Sequence, residues 1–127
     1  MKRKTRTITV NEHRYVWRCK FGTNAAAVVI SPTNDKTSTV TIDISARTDS
    51  DKYNEDHLSA DFIEYITMQK ENEEYRVKTI SPKMTALILN YLPESAFEHR
   101  KNNVYNISDL IAGMGYSVKK TETGKYW

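Results

Sequence analysis

Residues 80–93 read ISPKMTALILNYLP, and this stretch decides the fold because both of its ends and one of its faces can be predicted. Ser81 is a good N-cap, since its hydroxyl can accept one of the unpaired N–H groups of a first helical turn. Pro82 suits the next position, where a missing donor costs nothing and a fixed φ already fits a helix. Met84, Leu87, Ile88 and Tyr91 recur at the i, i+3, i+4, i+7 spacing that places them on one face. Pro93 disfavours the helical conformation at Leu92 and ends the run. Burying four such side chains contributes roughly 1.5–3 kcal/mol each, enough for a sheet to organise around the helix.

Upstream of this helix the pattern changes to alternation. Residues 5–10 place Arg6, Ile8 and Val10 on one face and threonines on the other. In residues 15–21, Tyr15, Trp17, Cys19 and Phe21 point one way. Residues 25–31 form a small-then-branched apolar run, expected of a strand covered on both faces. Val40, Ile42 and Ile44 alternate with Thr39, Thr41 and Asp43. Short polar stretches at 11–14, 22–24 and 32–35 separate these runs, so an antiparallel meander is expected. After a polar loop at 46–56, residues 58–70 fit a helix and a strand nearly equally. Their aromatic and branched content favours a strand, with 70–73 as the turn of a hairpin closed by 75–80.

Downstream, 94–101 is expected to make one or two helical turns, broken at Asn102-Asn103. Ser108 caps a short helix over 109–114, and Gly115 is placed to end it in a left-handed conformation. Residues 116–121 read as a strand, and 121–124 as a turn into a final short strand. The expected class is therefore α+β: one domain over 1–127, with an antiparallel sheet packed against one main helix at 82–92. A short helix and hairpin follow, and 1–6 form a basic flexible arm.

Arg6, Ile8 and Val10, then Tyr15 and Trp17, with Ser81-Pro82 opening a later helix, resemble a group of small bacterial α+β proteins of uncharacterised function. The likeness covers about the first fifth of the chain and the central helix. It departs at the first turn, where Asn11-Glu12 stands in place of a glycine. The resemblance implies a fold class and no activity.

The chain of 127 residues is 39% hydrophobic and 28% charged, a globular rather than a disordered balance. No apolar run approaches the roughly 20 residues of a membrane span. One cysteine, Cys19, cannot close an internal disulfide, and the cytoplasm is the expected compartment. The net charge of +3 hides segregation: residues 1–42 carry eight Lys and Arg against two Asp and Glu, residues 43–74 three against ten, and residues 75–127 eight against four.

No catalytic pattern emerges. His13, His57 and His99 lie in separate segments without metal-ligand spacing. Neither a glycine-rich phosphate loop nor a GxSxG elbow is present. The acidic pairs stand in polar surroundings, where little would raise a carboxyl pKa for acid–base work. A cofactor is not expected, and the chain reads as a non-enzymatic protein-binding or regulatory domain. Its acidic stretch, with Asp49, Asp51, Glu55 and Asp56, offers contacts for a partner protein. The alternative is a nucleic-acid-binding module. There the arm residues Lys2, Arg3, Lys4 and Arg6 meet phosphates, as do Lys119, Lys120 and Lys125 on a winged-helix-like helix and hairpin.

Overall fold

A computed structural model describes residues 5–22, 25–46 and 60–126. The first four strands follow the alternation: β1 (Arg6–Val10), β2 (His13–Gly22), β3 (Ala25–Pro32) and β4 (Thr39–Asp43). Each pairs antiparallel with the next. Register brings Trp17, Ile30 and Val40 into one cross-strand row, and Cys19, Val28 and Ile42 into another. Trp17, Ile30, Val40 and Ile42 are fully buried on the inner face. The first hairpin is tighter than the four-residue loop expected, because Val10 pairs with His13. Asn11 and Glu12 therefore take φ of 52° and 68°. A two-residue turn needs these mirror-image angles to match the strand twist, although glutamate is strained there.

Residues 60–70 resolve as strand. β5 (Ala60–Lys70) and β6 (Glu73–Lys78) form a hairpin with a two-residue loop in which Glu71 has φ 57°. Helix α1 (Pro82–Tyr91) is capped by Ser81, whose Oγ accepts from Met84 N at 3.1 Å, and it ends with Leu92 extended before Pro93. Its buried face is rotated from the expected stripe. Met84, Thr85, Ile88 and Leu89 are buried, Leu87 is half-buried, and Tyr91 is 44% exposed. The helix packs against β1 and β6.

The C-terminal region departs most from expectation. One 3₁₀ turn covers Glu94–Ala96. Asn102-Asn103 does not break a helix but opens β7 (Asn102–Asn106), which pairs with β4 in parallel. The five-stranded sheet, ordered β1-β2-β3-β4-β7, is thus mostly antiparallel with one parallel junction. Asn102 Oδ1 explains the pairing of so polar a strand, since it accepts from Thr39 Oγ1 at 2.9 Å and Thr41 Oγ1 at 2.7 Å. Helix α2 (Ile107–Gly113) takes Asn106 rather than Ser108 as its cap. Gly115 closes it with φ 96°, while Gly115 N donates to Ala112 O and Tyr116 N to Ile111 O. That double bond pattern needs a left-handed residue at the helix exit.

The expected C-terminal hairpin is absent. β8 (Ser117–Tyr126) runs unbroken and pairs with β5, giving a second sheet ordered β6-β5-β8. Gly124 is not a turn glycine: a Cβ there would stand 3.1 Å from Glu64 Oε1, so the missing side chain makes room for Glu64 across the strand. The two sheets meet where Ile63 N donates to Ile44 O at 2.8 Å and Phe21 sets its edge against Phe62. Buried residues from both sheets and both helices form one cluster.

Candidate functional site

Two regions bring together side chains capable of recognition. The first is the outer edge of β8. β5 holds this strand on one side, with bulges between Ile63 and Tyr65 and between Thr67 and Met68. A side-chain latch reinforces it: Arg76 on β6 donates to both oxygens of Glu122 on β8, at 2.6 and 3.1 Å, across the central strand. The guanidinium also stacks 3.7 Å from the centre of the Tyr65 ring. Its hydrogen bonds hold the Glu122 carboxyl below the usual carboxylate range. On its other side β8 pairs with no strand of the described residues. Lys119 and Lys120 are exposed on it and form no ion pair among the described residues.

The second region is a cleft of about 500 Å³ at one end of the five-stranded sheet, between the β1–β2 turn, the β3–β4 turn and the segment after α1. His13 Nε2 donates to Glu94 Oε1 at 2.7 Å. Asp35 is saturated: one oxygen accepts from Thr37 N and Thr37 Oγ1, the other from Ser38 Oγ at 2.7 Å and His99 Nδ1 at 2.7 Å. These bonds, those of Thr37 foremost, hold its carboxyl well below the usual range. Tyr15 stacks at 5.3 Å against Phe97 and is 8% exposed. Burial, then the nearby Glu94 charge, pushes its phenol pKa up.

Of the residues marked by sequence, Lys119 and Lys120 share the β8 edge, whereas Lys125 sits opposite Asp61 near the strand's end. Arg6 does not belong to an arm. It lies in β1 opposite Trp17, with its guanidinium 5.4 Å from the centre of that ring. Lys2, Arg3, Lys4, Asp49, Asp51, Glu55 and Asp56 lie outside the described residues, as does His57. Without a terminal hairpin, Lys119 and Lys120 have no wing to ride on. Cys19 is half-buried beside the core, and burial pushes its thiol up, which disfavours a nucleophilic role.

Sequence reasoning missed the cleft. His13 and His99 each face a carboxylate across 81 and 64 positions of chain, respectively, and no local spacing encodes such pairs. Among the described residues no group of three or more His, Cys, Asp and Glu is arranged to hold a metal ion. No helix of the described residues is long and apolar enough to cross a membrane. No family model, curated protein or solved structure matches the chain.

Proposed function

We propose that this is a non-enzymatic binding domain that takes an extended, acidic segment of a partner protein as an added strand along β8. The observation that carries the reading is a ten-residue strand that, among the described residues, is paired on one side only, with Lys119 and Lys120 exposed on it. In strand addition the main-chain groups of the open edge supply affinity, and alternate side chains supply selectivity. Lysines on an edge also deter indiscriminate pairing, so the edge selects a strand that brings its own carboxylates. The other edge strands are shorter, and α1 packs against both β1 and β6. A single half-buried cysteine suits a reducing compartment, and we place the domain in the cytoplasm.

The test is titration of labelled protein with an eight-residue peptide of alternating valine and glutamate. Binding should slow amide exchange at alternate β8 residues, and the Lys119→Glu/Lys120→Glu variant should lose it. Binding that survives charge reversal, or that protects amides elsewhere, overturns the proposal. Tighter, salt-sensitive binding of single-stranded RNA through the same lysines would replace it with the nucleic-acid reading.

A further inference from the structure

The helices pack against one face of the five-stranded sheet. Trp17, Ile30, Val40 and Ile42 belong to the same buried cluster as Met84 and Ile88 of α1 and Leu110 and Ile111 of α2. Alternation turns the residues between these strand positions to the opposite face. Val29 marks that side, because it is buried yet stands outside the cluster.

On β2 the outward positions are Arg14, Val16, Arg18 and Lys20, so three cations stand in one file about 20 Å long. All three are exposed and form no ion pair among the described residues. Thr9 and Thr7 of β1 run beside the file, opposite Arg14 and Val16, and both are exposed. Among the described residues the one outward carboxylate on these strands is Asp43. It lies two strands from Lys20, with Ala27 between, and already accepts from Ser45 N at 2.9 Å.

A second observation falls on the same face. Ser38, Thr79 and Thr85 are buried, and each donates a hydroxyl hydrogen bond. Ser31 is 3% exposed and makes none among the described residues. Register sets it opposite Val16 and diagonal to Arg14 and Arg18. A buried hydroxyl without an acceptor costs free energy until one is supplied. An anionic oxygen seated between the two guanidinium groups supplies it.

We infer that this face binds the sugar–phosphate backbone of a nucleic-acid duplex, with phosphates along Arg14, Arg18 and Lys20 and hydroxyl contacts from Thr7, Thr9 and Ser31. Such contacts position a duplex without reading its sequence. A duplex carries one negative charge per about 1.7 Å of its axis, so cations at strand spacing always find phosphates. Two of the three cations are arginines, whose planar fork matches a phosphate. A single strand fits less well, because no aromatic side chain stands at the outward positions to stack an unpaired base. A bilayer would take apolar side chains to its interface, and the one large exposed hydrophobic here is Val104, on the far edge strand. The face is separate from β8, which belongs to the other sheet.

The experiment titrates the full chain into a fluorescently labelled DNA duplex of about 20 base pairs, at salt concentrations from about 20 to about 200 mM. The logarithm of the affinity should fall linearly with the logarithm of the salt concentration. Arg14→Gln, Arg18→Gln and Lys20→Gln should each make that slope shallower by about 0.9, one lost phosphate contact apiece. Ser31→Ala should weaken binding several-fold and leave the slope unchanged. Lys119→Gln/Lys120→Gln should keep the wild-type slope, which separates this face from the β8 edge. Circular dichroism verifies that each variant is folded. The assignment is overturned by no binding at about 20 mM salt with protein up to about 100 μM, or by a slope unchanged in all three single charge variants. Tighter binding of polyglutamate, single-stranded DNA or phosphatidylserine vesicles at the same salt overturns it in favour of that occupant.

Discussion

The two sheets share a core but are assembled from different materials. In the five-stranded sheet, β1 to β4 follow one another through short turns, and each carries inward apolar residues such as Trp17, Ile30 and Ile42. In the three-stranded sheet, β5 is flanked by β8 from far along the chain, with Ile63 opposite Thr123. β8 is largely polar, with Val118 its one aliphatic residue, and that residue is 37% exposed. Its place rests on backbone pairing and on the Arg76–Glu122 latch. β7 repeats the pattern, with Asn102 bonded to Thr39 and Thr41. Strands joined locally are held by apolar alternation, whereas strands recruited from a distance are pinned by polar side chains.

The largest expected effect tests whether the sheets are one cooperative unit. Ile42 and Ile66 are each fully buried, one in each sheet. Ile42→Ala and Ile66→Ala should each lower stability by about 2–5 kcal/mol while keeping a single denaturant transition. Two transitions in either variant would show that the sheets unfold separately. A smaller effect addresses the entry to β8. Gly115 has φ 96° at the helix exit, so Gly115→Ala should cost about 1–2 kcal/mol. Amide exchange should quicken in α2 and β8 and stay unchanged in β2 and β3; uniform quickening would break the contrast.

The smallest effect lies at the cleft end and is read in pH. Asp35 has its folded carboxyl held below an unfolded value near 3.9. Its contribution is therefore fully present above about pH 4 and is lost as the pH falls towards the folded value. Asp35→Asn should flatten the acid limb of a stability profile below about pH 4, and leave its slope above pH 5 unchanged. An identical acid limb in the variant would mean that Thr37, Ser38 and His99 do not hold the carboxylate in solution.

The same division explains what could be read in advance. The meander, the Ser81-Pro82 helix start and the Gly115 helix end were legible because a few neighbouring residues encode each of them. β7 was hidden because NNVYN lacks apolar alternation, its inward positions being Asn103 and Tyr105, and a parallel partner more than sixty positions away leaves no local mark. β8 was misread because TETG resembles a turn, when Gly124 is small for the sake of Glu64. The main helix was placed correctly at both ends but rotated, since its packing against β1 and β6 selects Leu89 and Thr85 over Tyr91. A ring so close above Gly113 that a Cβ would collide with it gives Tyr91 another role, joining the two helices. The His13–Glu94 and Asp35–His99 pairs had no sequence signal at all.

The parallel junction between β4 and β7 has a consequence for synthesis. β4 and β5 each pair with a strand made close by, β3 and β6, yet each receives its second neighbour only from residues 102–126. During translation both present an open row of backbone donors and acceptors until that part of the chain emerges. Such edges invite pairing with other chains, and closing them requires slow, long-range encounters. The nascent protein therefore spends its most aggregation-prone interval with the meander formed and both sheets unfinished, the stage at which a chaperone would have the most to protect.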